Sequence, residues 1–231
     1  MDYGYAGLGE NINTINLEDC DEPFRLPIQL YHHLASSINF QGKDILEVSC
    51  GRGGGASFIN RYHHPRSLVA IDRTPQAIRD CQRQHRQPGL SYIQCDAQHI
   101  FYGSESFDVV LNVEASHLYE SVDTFLQEVK RVLRQGGYLL LADKRTLAEI
   151  HLLRQQIANS GLNVISETDI SANVLRSIRL QQGERRQMLQ KHLPRPLVWL
   201  VTRLIGADGS HLAQALATGD SVYLSFVLRK V

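Results

Sequence analysis

No charge of either sign predominates in this chain. Its 231 residues hold 24 Lys and Arg against 24 Asp and Glu, a formal net charge of zero. RNA or DNA would meet no broad positive field, so nucleic acid is not expected as a partner. Long apolar runs are also missing, so no stable membrane insertion is expected. The start, Met1-Asp2-Tyr3-Gly4-Tyr5, has neither the basic nor the apolar stretch of a secretory signal. Cysteine is scarce: Cys20, Cys50, Cys81 and Cys95 stand apart without paired spacing. That pattern gives no disulfide frame and no metal site, and it points to a reducing, cytoplasmic setting. The serine-hydrolase elbow Gly-x-Ser-x-Gly is absent as well.

What the chain does contain is alternation. Strand-like stretches at 44–50, 67–72, 90–97, 107–114 and 138–143 alternate with helical patterns. Thr74 reads as an N-cap with Pro75 at the first helical position. Val122, Phe125, Leu126, Val129, Val132 and Leu133 recur at helical spacing, and that helix is expected to stop at Gly136-Gly137. Residues 21–38 read as an N-terminal helix, and 163–168 and 221–230 as late strands. The expected fold is α/β, a doubly wound Rossmann-like sheet, mostly parallel, with helices on both faces. Its parts are an N-terminal arm and cap (1–40), a core (41–169), a helical lid (170–219) and a last core strand (220–231).

The segment Glu47-Val48-Ser49-Cys50-Gly51-Arg52-Gly53-Gly54-Gly55 follows a strand and opens a helix. Glycines there let the backbone approach a ligand closely, but a dinucleotide enzyme would use the same geometry. The neighbouring strand ends discriminate. Asp72, followed by Arg73, can accept from both ribose hydroxyls. Glu47 would be awkward beside a pyrophosphate but suits a cofactor with a cation and an amino group. Asp96, followed by Ala97, can accept from an adenine amino group. With Asn112, four successive strands end in polar residues, which speaks against an NAD-dependent oxidoreductase.

In this order the residues Glu47-x-x-x-Gly51-x-Gly53, Asp72, Asp96-Ala97, Phe107-Asp108-Val109-Val110 and Leu133-x-x-Gly136-Gly137 resemble the class I S-adenosylmethionine-dependent methyltransferases. Residues 47–57, 112–117 (Asn-Val-Glu-Ala-Ser-His) and Tyr3-Gly4-Tyr5 resemble more closely the phthiotriolone dimycocerosates methyltransferase group and related lipid and natural-product enzymes. The usual first loop glycine is Ser49 here, as in that group. The resemblance implies a seven-stranded sheet with an antiparallel last strand, and S-adenosyl-L-methionine as cofactor. It implies cofactor contacts at Glu47, Gly51, Gly53, Asp72, Arg73, Asp96, Ala97 and Asn112, with Tyr3 closing over the site.

Methyl transfer from a sulfonium leaves orientation and charge to the protein. His117, just after the fourth strand, is the candidate base, because histidine titrates near neutral pH. Glu114 is expected to orient it or to contact the substrate. The pairs His32-His33 and His63-His64 are expected to have surface or packing roles. The insertion is basic at first (Arg176, Arg179, Arg185, Arg186, Lys191, Arg195) and then apolar from 197 to 205. It reads as a lid over a small, largely apolar substrate, lipid-like, polyketide or terpenoid. O-methylation is favoured. C-methylation, or a cyclase of the same fold without net methyl transfer, is the alternative, and a homodimer is one option for assembly.

Overall fold

The computed structural model describes residues 3–9, 15–192 and 207–231. One sheet of seven strands runs in the order β3-β2-β1-β4-β5-β7-β6. The strands are β1 (Asp44–Val48), β2 (Ser67–Asp72), β3 (Leu90–Gln94), β4 (Phe107–Val113), β5 (Leu133–Thr146), β6 (Leu162–Asp169) and β7 (Ser221–Lys230). The first five pair in parallel, and β7 lies antiparallel to both β5 and β6. The helices are α1 (Arg25–Ala35), α2 (Gly54–His63), α3 (Pro75–Gln84), α4 (Val122–Val132), α5 (Leu147–Ser160), α6 (Ser171–His192) and α7 (Ala207–Thr218).

Strand alternation sorts β1 between two cores. Ile45 faces the layer built on α1, α2, α6 and α7, and Leu46 and Val48 face the layer built on α4 and α5. Glu47 shares the α1 side, where Tyr31 waits for it. Each fully buried aliphatic or aromatic side chain contributes about 1.5–3 kcal/mol, so both layers hold the sheet firmly.

Local chemistry explains the element ends. Ser121 caps α4 by accepting from Thr124 N, and Thr146 and Glu149 form a reciprocal capping box on α5. The helix 122–132 does not stop at Gly136-Gly137, as expected from sequence. It ends at Val132, and Leu133 is already extended (φ −69, ψ 137) and paired with Phe107. Register resumes at Tyr138 opposite Val109, so residues 134–137 bulge out, with Gly136 at φ +77. A Cβ on Gly137 would lie 2.9 Å from the Asp108 carbonyl oxygen, so the glycines serve that bulge. The sequence reading assigns no element to 147–160. α5 buries only Ile150, Leu153 and Ile157 while Leu147 and Leu152 are exposed, so its apolar stripe is weak.

The insertion does not begin as a free lid. Ile170, Val174 and Ile178 at the start of α6 join the α1-side core together with Tyr223 of β7. Arg195 and the apolar run 197–205 lie outside the described residues, as do the side chains of Arg185, Arg186 and Lys191.

The paired histidines are partly internal. His63 packs between Phe40 and Phe58, with ring centroids 5.5 and 5.4 Å away. His33 bonds Ser225 Oγ at 3.0 Å and stacks on Tyr5. Burial pushes His63 down from 6.5 to about 4, helped by the charges of His32 and His64, and it lowers His33 as well. The unfolded chain thus binds protons that the folded chain refuses, and stability falls as pH drops from about 6.5 to about 4. Thermal unfolding across that range should show the fall, and His63→Leu should make it shallower. An unchanged slope in the variant would remove His63 from the explanation.

Candidate active site

The loop after β1 is held by phenols. Gly53 (φ +75) is buried, and a Cβ there would sit 2.7 Å from the Tyr92 ring and 2.8 Å from Cys81 Sγ. Tyr92 Oη donates to the Gly53 carbonyl at 2.7 Å. A Cβ on Gly55 would meet the Tyr31 ring at 2.0 Å. Gly51 (φ +54) is different, because a Cβ there would meet nothing within 4 Å. Packing therefore demands glycine at 53 and 55, while Gly51 presents open backbone. Its N–H donates to Asp72 Oδ2 at 3.0 Å, and Thr74 N donates to Oδ1 at 2.8 Å. The Asp72 carboxylate is thus oriented, with acceptor capacity left on both oxygens.

A cavity of 1080 Å³ opens above this loop. Of the residues expected from sequence, Tyr3, Gly51, Gly53, Asp72, Glu114 and His117 line it. Glu47, Arg73, Asp96, Ala97 and Asn112 are not on its wall. Glu47 lies below it, buried, and accepts from Tyr31 Oη at 2.7 Å. Asn112 is fully buried. Its Nδ2 donates to Val48 O (3.0 Å) and to Tyr119 Oη (2.7 Å), and Tyr119 Oη also bonds Ser49 Oγ (2.7 Å). Asn112 Oδ1 is a buried acceptor without a partner among the described residues. Asp96 is exposed and caps its own turn by accepting from Gln98 N, and Arg73 is exposed.

His117 is not oriented by Glu114. Glu114, at φ +53, accepts the Tyr3 N–H on its carboxylate (2.9 Å to Oε1) and the Tyr223 hydroxyl (2.7 Å). It therefore clamps the N-terminal arm. The partner of His117 is Asp143, near the end of β5, with Nδ1 2.7 Å from Oδ1. Asp143 is 2 % exposed and also accepts from His117 N, Ser116 Oγ and Lys144 N, and it pairs with Arg145. Burial alone would raise the Asp143 carboxyl. The His117 hydrogen bond and the Arg145 charge outweigh it and hold the group below its ordinary value. With Asp143 ionised, the shared proton sits on Nδ1, and Nε2 of neutral His117 is an acceptor. Asp143 had a signal in the sequence: it is a polar residue ending the fifth strand, as Glu47, Asp72, Asp96 and Asn112 end or follow the others.

The arm reaches the cavity by main-chain bonds. Tyr5 N donates to Leu26 O, Asn173 Nδ2 to Ala6 O, and Ser177 Oγ and Gln181 Nε2 to Tyr3 O. Tyr3 is thereby placed on the cavity wall beside Lys144.

Comparison with known proteins identifies this arrangement. A methyltransferase domain family model matches residues 46–141. The phthiotriol/phenolphthiotriol dimycocerosates methyltransferase of Mycobacterium leprae (strain TN) is 42 % identical over 217 residues, 94 % of this chain and 80 % of that protein. The chain belongs to this group of class I S-adenosylmethionine-dependent methyltransferases. A fatty-acid O-methyltransferase of Mycolicibacterium smegmatis is 42 % identical over 178 residues, 77 % of this chain and 64 % of that protein. The solved geranyl diphosphate C-methyltransferase of Streptomyces coelicolor A3(2), in complex with Mg2+, geranyl diphosphate and S-adenosyl-L-homocysteine, shares the fold. Its TM-score is 0.75 at 13 % identity, covering 100 % of this chain and 91 % of that one. The relatives by sequence are methyltransferases, which gives the cyclase alternative no support.

This methyltransferase uses S-adenosylmethionine, and the residues present fit it. Open backbone at Gly51 and the spare acceptor capacity of Asp72, both on the cavity wall, are what a ligand with ribose hydroxyls requires. Among the described residues no helix is long and apolar enough to cross a membrane. The glycine geometry makes a sharp prediction. Gly55→Ala should lose about 1–3 kcal/mol to overpacking against Tyr31, whereas Gly54→Ala, with nothing within 4 Å of its Cβ, should be neutral or stabilising. Denaturant unfolding of the two variants checks this, and equal effects would contradict it.

Proposed function

We propose that this methyltransferase acts on an oxygen of a lipid-like, largely apolar acceptor, with His117 as general base and Asp143 as the residue that positions it. The observation that carries the reading is the His117–Asp143 pair at the cavity wall (2.7 Å), which leaves Nε2 as the acceptor. Phe24, Pro27, Ile28, Val113, Leu118 and Ile178 on the same wall favour an apolar substrate body. The names of the relatives, acting on phthiotriol and phenolphthiotriol dimycocerosates and on fatty acids, support the same class.

Bound S-adenosylmethionine supplies an electrophilic methyl on a sulfonium. The protein's own residues do the rest. Asp72, oriented by Gly51 N and Thr74 N, holds ribose hydroxyls, and Gly51 and Gly53 carry the backbone past the ligand. Glu47 and Asn112 lie buried beneath the loop, off the cavity wall, and support it through Tyr31 and Tyr119. Asp96, Ala97 and Arg73, off the cavity wall, have no role in this reading. Nε2 of His117 takes the acceptor's proton, and Asp143 with Arg145 behind it stabilises the imidazolium that results. Tyr3, held by Glu114, covers the cavity edge and limits water.

Two sets of variants test this. Asp72→Ala should weaken S-adenosylmethionine binding at least roughly tenfold in calorimetric titration, the loss of a pair of hydroxyl–carboxylate bonds. Unchanged affinity would sink the cofactor assignment. His117→Ala and Asp143→Asn should each lower turnover by about 10²–10⁴ while leaving cofactor affinity near wild type. Full turnover in His117→Ala would dismiss the base without touching the methyltransferase.

A further inference from the structure

Ser49 occupies the place of the usual first loop glycine, and none of the roles above uses its side chain. Its backbone has φ +63, a left-handed conformation that glycine adopts freely and a residue with a Cβ adopts at a cost. Glycine would relieve that strain, so the serine hydroxyl has to return something. Ser49 lies on the cavity wall, with its Oγ 2.7 Å from Tyr119 Oη.

The direction of that hydrogen bond follows from its neighbours. Asn112 is fully buried, and its Nδ2 donates to the Val48 carbonyl at 3.0 Å. The reverse orientation of the amide would set two acceptors face to face. The second Nδ2 hydrogen goes to Tyr119 Oη at 2.7 Å, so the phenol oxygen accepts from Asn112. Burial keeps the phenol's own proton in place, and among the described residues Ser49 Oγ is the acceptor left for it. Donors therefore run in one sense from Asn112 through Tyr119 to Ser49. The chain ends on the Ser49 hydroxyl hydrogen, which has no acceptor among the described residues and stands at the cavity wall.

We infer that the Ser49 hydroxyl is a cofactor-binding donor for the carboxylate of S-adenosylmethionine, and that Tyr119 is the positioning residue that turns it toward the cavity. This rests on the placement of the ribose at Asp72 proposed above. β1 lies between β2 and β4 in the sheet. Asp72 ends β2 and meets the loop at Gly51, so the ribose belongs to the β2 side. Ser49 is bonded on the other side, to the turn that follows β4, and the amino-acid part of the cofactor falls there. That part carries the one anionic group of the cofactor, and a hydroxyl donating to a carboxylate makes a stronger bond than one donating to a neutral acceptor. A glycine at position 49 has no side chain with which to make it. Because Ser49 Oγ already accepts from Tyr119, its hydrogen is polarised and held before the ligand arrives.

Calorimetric titration of two ligands tests this without requiring turnover: S-adenosylhomocysteine, and its decarboxylated analogue, which keeps the nucleoside, thioether and amine. Ser49→Ala and Ser49→Gly should each weaken S-adenosylhomocysteine about tenfold, the loss of one hydrogen bond to a charged group, and leave the analogue within about twofold of wild type. Tyr119→Phe should weaken S-adenosylhomocysteine alone and by a smaller factor, since the serine hydroxyl survives without its direction. Equal weakening of both ligands in the Ser49 variants would show that the serine only shapes the loop. Unchanged S-adenosylhomocysteine affinity in them would show that its hydroxyl meets no part of the cofactor. Either result overturns the inference. Asp72→Ala separates it from the reading it rests on: that variant should weaken both ligands by the same factor, and if it spares both, the ribose placement falls whatever the Ser49 variants do.

Discussion

A carboxylate buried near the end of β5 organises the His117 side of the cavity. Asp143 is almost wholly withdrawn from water, a position that costs an ionised group several kcal/mol unless donors replace the lost hydration. Here they do: two backbone N–H groups, the Ser116 hydroxyl, the His117 imidazole and the Arg145 guanidinium all point at it. Arg145 also donates to Ser116 Oγ and to Lys144 O, so the donors are themselves tied together. The short 3-10 turn Ser116–Leu118 is drawn onto β5 by these bonds, and that is what brings His117 to the cavity.

The cofactor side follows a parallel logic with phenols in place of charge. Tyr31, Tyr92 and Tyr119 each send a hydroxyl into the loop after β1 or the groups beneath it, at 2.7 Å in every case. Burial raises the pKa of Tyr92 and Tyr119, so these hydroxyls keep their protons. A loop braced in this way costs little further ordering when a ligand binds, which is the basis of preorganisation. The N-terminal arm completes the enclosure through main-chain bonds to α1 and α6, and Glu114 fastens it from below.

Much of this was legible in the residues. Short apolar stretches and the Thr74-Pro75 start give the sheet and helices because local pattern and packing agree there. Gly51 and Asp72 reach the cavity wall because strand ends of such sheets face the crevice, whereas Glu47 lies buried below it. What was not legible depends on contacts distant in sequence. Glu114 and His117 are close neighbours in the chain, yet their carboxylate and imidazole turn to different partners, Tyr223 and Asp143. The Gly136-Gly137 pair carries the same local signal whether it ends a helix or allows a bulge, and only the pairing of Leu133 with Phe107 decides. β3 stops at Gln94, short of the 97 read from sequence, and the turn 96–99 uses the Asp96 carboxylate locally and leaves it exposed.

General-base action by His117 depends on the direction of one hydrogen bond, from its Nδ1 to Asp143. Nitrogen-15 NMR of the protein labelled in its histidines reads that directly, with His117→Gln to assign the signal. Neutral His117 should carry its proton on Nδ1 and its lone pair on Nε2, and Asp143→Asn should disturb this tautomer. A neutral His117 protonated on Nε2 would contradict it, since no base would then face the cavity.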